Sequence, residues 1–532
     1  VLSWLLACSS SPAPFDPGPV APRALVIEPA SAILETGPDG AAPLQFQALA
    51  DYGGDALTPL DVVSWTLSNR SAGQLDDAGL FTASTTNGGE ALLTATFDGQ
   101  VATASLLVMY KEARVDEGVD PTWFDGPSTE ATGRWLYPPD EVVLPRNTPS
   151  VHLQWTAVEG AAYKLSLRSR TSALDVYTAR NELIADGPTW SGIASTNAGG
   201  TITVDLTAYI NGERFAEPTR NLHVDRLDAS GSIIYWASTK GGLVEIPYGL
   251  PASDFLTQAQ TGRCVACHAV SRDGKVAWTY DGGDGVVGSQ HAVDRSTIVA
   301  PEQGQHGNFH TFSPDGRFRV SVYHGNLSLY DADTGAWLRD VWTAGDATHP
   351  DWSPADDRLV FVRTVTRGSD WSIGHDSALL TLDHDGNGQF SNPQVRLTAA
   401  PGTVVYYPSF SPDGAWIAYN RSTGDAYDDL DAEVWVLPSD GGAPLRLDAA
   451  NAEGQLSNSW PRWGPIPDSD VLWLAFASRR PYGFVQNNVP QIWVTAFDAR
   501  RARQGVDPSS PAHWLAGQES ATSNHIPVWT EW

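Results

Sequence analysis

The sequence predicts an all-β fold, and three observations predict it. Glycine and proline, 49 and 37 of 532 residues, punctuate the whole length. Between them run short apolar–polar alternations of strand period, with few stretches of helical period. From residue 312 a turn motif recurs with an apolar strand behind each copy, the mark of a repeat architecture. The expected order is two β-sandwich modules followed by a ring of six repeated sheets, with seven as the alternative.

Composition narrows the partners. Asp and Glu number 62 against 33 Lys and Arg, a net charge of −29. That field repels nucleic acid and anionic lipid and leaves a basic protein partner or a neutral one. No run approaches the ~18 apolar residues of a membrane span.

At the start, Leu5-Leu6-Ala7-Cys8-Ser9 closes a short apolar run, and a Pro/Ser-rich stretch follows to Arg23. The run resembles the lipobox of bacterial lipoprotein signals. The resemblance implies lipidation at Cys8, a tether over 1–23, membrane contact through the lipid alone, and an outer-membrane lipoprotein facing the periplasm or the cell surface.

Residues 24–110 form the first module. Strand patterns fall at Leu25-Val26-Ile27, Leu44 to Ala48, Val62 to Leu67 and Ala91 to Ala95. A strand centred on Trp65, then Asp76-Asp77-Ala78-Gly79-Leu80-Phe81, then an Ala/Thr-rich strand, resembles bacterial Ig-like domains of the invasin and intimin type, which implies that Trp65 is core. Residues 111–228 form the second. There, Val151 to Trp155 followed by Ala161 to Leu167 looks like the paired strands of a fibronectin type III-like domain. Neither module carries a catalytic constellation, and both read as spacers or adhesive units.

The repeat occupies 229–532. Phe312-Ser313-Pro314-Asp315-Gly316 returns as Trp352-Ser353-Pro354-Ala355-Asp356 and Phe410-Ser411-Pro412-Asp413-Gly414, with a degenerate copy at Trp463-Gly464-Pro465. This S-P-D-G turn resembles the repeat of TolB-type β-propellers, which implies four-stranded blades stacked radially. The strand at Ile526 to Trp532 has no partners after it, and those at Ile233 to Ala237 and Gly242 to Ile246 have no inner strand before them. Joining the two ends closes a sixth blade and removes a free edge.

One motif carries chemistry. Cys264-Val265-Ala266-Cys267-His268 is C-x-x-C-H, the spacing of covalent haem c attachment. Two thiols three apart can add across both vinyl groups of one porphyrin, and the adjacent His can reach the iron. A local disulfide or thiol pair is the rival reading of the two cysteines, and zinc would need two further ligands. The expectation is one haem, with His268 as proximal ligand and extracytoplasmic electron transfer to a redox partner protein. The alternative is a haem-independent propeller binding a cell-envelope protein or glycan. A haem enzyme handling a small oxidant is the third reading.

The only Met, Met109, lies in the first module, so a sixth iron ligand would be His310, with His349 and His306 behind it. Repeat alignment sets His268 level with His310. It rings the channel mouth with His268, His310, His349, Tyr407, Trp460 and Asn524 or His525, and places Cys267-His268 on a loop just before an inner strand. Two weaker motifs remain. Asp383 to Gly388 resembles the start of a calcium loop but has Gln394 at position twelve, so it reads as a turn. The acidic insertion Asp425, Asp428, Asp429 and Asp431 reads as solvated, with Ca²⁺ the weaker option. Arg479-Arg480 is expected to pair with such carboxylates.

Overall fold

A computed structural model describes residues 21–283, 285–291, 298–299, 306–365, 368–427, 429–465, 470–486 and 488–532. Cys8, Asp428 and nearly all of the tether lie outside them. The described chain is almost entirely β, and none of its helices is long and apolar enough to cross a membrane. It divides into two compact units, residues 1–112 with 170–173, and 113–169 with 174–532.

In the smaller unit, Ala24–Glu28 pairs antiparallel with Gln47–Asp51. Gly89–Phe97 lies between Ser64–Leu67 and Gln100–Val115, whose other edge takes Ser31–Thr36 in parallel. Alternate residues of these strands, Ile27, Leu93, Leu106 and Val108 among them, make its core together with Phe81 of Leu80–Ala83. Trp65 is half-buried and packs on that core rather than sitting at its centre. Gly79, at φ +79°, is where the chain passes beneath the Trp65 ring.

The larger unit opens with a core built on Trp155, Tyr163, Leu165 and Trp190. Here the sequence expectation needs correcting. Val151–Trp155 and Ala162–Arg168 do not pair with each other. The first joins Trp135–Tyr137 and Glu182–Ala185, while the second joins Thr201–Ile210. The turn after Trp155 carries the chain from one sheet to the other, and the Trp155 and Tyr163 rings meet across the core at 5.3 Å.

Beyond residue 229 the described residues form six four-stranded antiparallel sheets. Their innermost strands are Asn524–Trp529, Val265–Val270, Phe309–Phe312, Ala347–Trp352, Val404–Phe410 and Ser459–Trp463. Each contacts the next in that cyclic order, and the last contacts the first, the radial arrangement of a β-propeller. The first sheet is made from both ends of the segment: Asn524–Trp529 pairs with Ser232–Ala237, which is followed by Gly242–Pro247 and Ser253–Leu256.

The repeated turn has a local cause. Ser313 Oγ donates to Asp315 at 2.6 Å and accepts from Phe318 N at 3.0 Å, while Gly316 takes φ +71°. A turn one residue shorter at Ser271, Asp273 and Lys275 uses the same serine–aspartate bond, with Gly274 at φ +86°. Serine, aspartate and glycine each supply what the turn's backbone cannot.

Candidate functional site

The innermost strands are not regular. In five of the six sheets, two residues of the innermost strand oppose one of its neighbour, a β-bulge. The doubled residues are Ile526-Pro527, Ala266-Cys267, His349-Pro350, Tyr407-Pro408 and Trp460-Pro461. Only Phe309–Phe312 stays in register. Proline suits a bulge because it lacks the N–H that a ladder position would need. The residue before each proline takes a left-handed backbone: His349 at φ +49°, Tyr407 at +47°, Trp460 at +60° and Ile526 at +50°. Bulky residues rarely adopt it, so packing must hold them there.

The bulges turn these side chains into one layer across the channel. Phe309 meets His349 edge-on at 4.6 Å, His349 lies 4.2 Å from Tyr407, and Tyr407 stacks on Trp460 at 3.6 Å. The layer separates two spaces. At the end where the innermost strands begin, a cavity of about 190 Å³ is lined by Trp236, Cys267, Asp281, Asn308, Phe309 and Ile526, among others. At the turn end, a mouth of about 160 Å³ is lined by the next residues along the strands: His268, His310, Asp351, Ser409, Arg462 and Val528.

The expected ring of histidines is thus two layers. His349, Tyr407 and Trp460 belong to the aromatic layer, and His268 and His310 lie one step towards the turns. The position expected from Asn524 or His525 is taken by Ile526, because the bulge shifts the closing strand by one. Cys267 and His268 lie within an innermost strand, not on a loop before it.

Both ring nitrogens of His268 lie against backbone carbonyls, Nδ1 at 3.1 Å from Ala266 O and Nε2 at 3.3 Å from Ile234 O. Burial lowers its pKa to about 4. His310 has Nε2 against Thr279 Oγ1 and Nδ1 against Ser321 Oγ, both at 2.9 Å. His349 is 3 % exposed; neither ring nitrogen makes a well-aligned hydrogen bond among the described residues, and the Asp370 carbonyl facing it accepts from the Thr348 hydroxyl at 2.5 Å. His306 is exposed and stacks on Tyr323 at 4.9 Å.

Cys264 and Cys267 are free thiols. Burial, followed by the charge of Asp281, pushes Cys267 up to about 12 and raises Cys264 as well. Neither is a poised nucleophile. Cys267 faces the cavity and His268 the mouth, on opposite sides of the aromatic layer. One porphyrin bonded to the thiols and ligated by His268 does not fit the strand as it lies here. Among the described residues, no three His, Cys, Asp or Glu side chains are grouped to hold a metal ion.

The mouth carries charge that sequence reading missed. Arg462 is half-buried at the channel floor, with Nη1 donating to the Pro461 carbonyl at 3.0 Å. Asp351 accepts from Phe410 N at 2.8 Å, and burial raises its carboxyl to about 6 despite the nearby Arg462. No direct ion pair joins the two among the described residues. The signal was present, since Asp351 and Arg462 each follow a bulge proline, but a lone charge in an apolar strand has no motif.

The weaker motifs resolve simply. Asp385 Oδ1 accepts from Asn387 N at 2.8 Å and Gln389 N at 2.9 Å, closing a turn, and Gln394 lies in the following strand. Arg480 contradicts the expected carboxylate pairing. Its Nη2 donates to Ala450 O and Asn458 Oδ1, both at 2.7 Å, between the rings of Phe476 and Trp493.

No protein-family model matches the sequence, and no curated protein is significantly similar to it. Among solved structures, TolB from Acinetobacter baumannii is similar at 16 % identity and a TM-score of 0.38, over 62 % of this chain and 79 % of that one. A TolB-type protein from Agrobacterium tumefaciens is similar at 16 % identity and 0.35, over 54 % and 89 %. Kuenenia stuttgartiensis hydrazine synthase is similar at 16 % identity and 0.34, over 53 % and 81 %.

Proposed function

We propose that this chain is an exported, lipid-anchored binding scaffold of the bacterial cell envelope. In this reading the six sheets are the six blades of a closed, TolB-like propeller. Residues 24–110 and 111–228 are Ig-like and fibronectin type III-like spacers that hold it away from the membrane. The recognition surface is the mouth framed by the repeated turns, where an envelope protein or glycan docks. One observation carries this: Arg462 and Asp351 stand at the floor of an open mouth, opposite in charge and not joined to each other. Each makes one backbone hydrogen bond and keeps further bonding capacity facing the mouth, which a ligand bonding to both would use. The test is retention of the purified chain on peptide and glycan arrays, wild type against Arg462→Gln. Ligands that the wild type retains and the variant loses support the reading. Retention that is absent, or unchanged by the substitution, overturns it.

The C-x-x-C-H motif favours a second reading, covalent haem c on Cys264 and Cys267 with electron transfer as the function. It requires that the strand Val265–Val270 be laid differently once the thiols are alkylated, freeing His268 from its two carbonyls. The chain is expressed with cytochrome c maturation factors and its denaturing gel stained for haem. A stained band that disappears in Cys264→Ala/Cys267→Ala supports this reading, and a colourless folded protein removes it.

A further inference from the structure

The cavity on the other side of the aromatic layer has no part in the binding-scaffold reading, and only Cys267 in its wall belongs to the haem reading. Its walls are largely aromatic: Trp236, Phe309 and Trp371, with Tyr427 at 40 % exposure. Such rings present negative faces, which attract cations more strongly as water is excluded. One ring of this wall already holds a cation, with the Arg263 guanidinium 4.5 Å from the centre of the Tyr280 ring.

Two further features select charge and donor type. Asn308 is 5 % exposed, and its Oδ1 has no hydrogen-bond partner among the described residues. Its Nδ2 donates to Asp370 at 2.6 Å, and that carboxylate also accepts from His324 N and Gly325 N, so the amide cannot turn over without losing a buried bond. The cavity wall therefore holds a fixed, unused acceptor. Carboxylates outnumber the Arg263 guanidinium near it: Asp281 stands in the wall, Asp370 behind Asn308, and Asp425 is bonded to Ser372 beside Trp371. An anion would meet repulsion there, and a ligand with a donor to offer would relieve the unpaired Asn308 Oδ1.

We propose that this cavity binds an organic ammonium ion that carries at least one N–H. The aromatic walls hold the charge and the alkyl or aryl body, Asn308 Oδ1 accepts the N–H, and Asp281 sets the local field. The net charge of −29 draws such cations to the surface from a distance.

The test is calorimetric titration of the full chain with benzylammonium, benzyl alcohol and benzoate, with methylammonium as a smaller probe. Benzylammonium is expected to bind about tenfold more tightly than benzyl alcohol. Benzoate should not compete. Asp281→Asn and Trp371→Leu, both on the cavity rim, should each weaken benzylammonium several-fold with unchanged near-ultraviolet circular dichroism. Equal affinity for the alcohol and the ammonium overturns the proposal. So does an affinity unaffected by both substitutions, or failure of both ammonium probes to bind at millimolar concentration.

Discussion

Buried histidines give the molecule a definite response to acid at the scale of single residues. His268, His310, His349 and His513 are all held below the usual imidazole range by burial, His268 at about 4 and His513 at about 3. The unfolded chain takes up these protons near pH 6.5 while the folded chain refuses them. Stability is therefore full above about pH 6.5 and falls as the pH drops towards 4, by about 1.4 kcal/mol per pH unit for each histidine fully in its window. Asp351 has the opposite sign. Its folded carboxyl, raised to about 6, accepts a proton before the unfolded one does, so it adds stability as the pH falls below 6. Urea midpoints at pH 7.5 and 5 should show a large acid loss, larger still in Asp351→Asn, and that variant should be the more stable one at pH 7.5. A midpoint that does not move between the two pH values would contradict the burial of these rings. Residue-level chemistry was only partly legible in the sequence. The C-x-x-C-H spacing and the alignment of His268 with His310 could be read directly. Arg480 could not, because its partners are the Ala450 carbonyl and the Asn458 side chain, which only the fold brings near.

Individual strands show where the sequence speaks clearly and where it stops. The turns were readable because Ser, Asp and Gly each do a local job, and the partnerless strands at both ends of the repeat pointed to their pairing. The bulges were not read, although His349-Pro350, Tyr407-Pro408 and Trp460-Pro461 stand at matching places. A bulge adds one residue and shifts the phase of the alternation. These strands are buried on both faces and show no alternation to shift, so the pattern hides the step that decides which side chain enters the channel. The closing strand makes a strong prediction. Trp529 Nε1 donates to Ser230 O at 2.9 Å, Thr530 N to Ser232 O at 2.8 Å, and Ile526 fills the aromatic layer. Deleting 524–532 would strip the first sheet of its inner strand, expose the edge of Ser232–Ala237 and open the layer. Limited proteolysis should then find the whole 229–532 segment cleaved. A protease-resistant core of that length after the deletion would rule out the closure.

At the scale of the molecule, the sequence placed a boundary at 228/229, whereas the compact unit runs across it. The reason is a contact that strand patterns cannot show. Tyr137, 6 % exposed, joins the core of the last sheets, lying 5.0 Å from the Tyr482 ring and 6.3 Å from that of Trp493. Its hydroxyl accepts from Trp514 N at 3.0 Å, and burial raises its pKa well above that of an ordinary phenol. Around it, His152 Nδ1 meets Tyr482 Oη at 2.9 Å, and Gln154 Oε1 accepts from Phe484 N at 3.1 Å. Two polar contacts flank a buried aromatic group, which makes this a fixed joint. Tyr137→Ala should cost about 3–5 kcal/mol, as for other large-to-small substitutions of buried aromatics. Tyr137→Phe should cost about 1 kcal/mol, since only the hydroxyl bond is lost. The distinguishing measurement is amide hydrogen exchange across 482–514 in the full chain. If the joint carries the coupling, Tyr137→Ala speeds exchange there and in 151–155 together, because each side is protected by the other. If exchange rises only in 135–137, the residues on either side of 228 are independent bodies after all, and the boundary read from the sequence is the physical one.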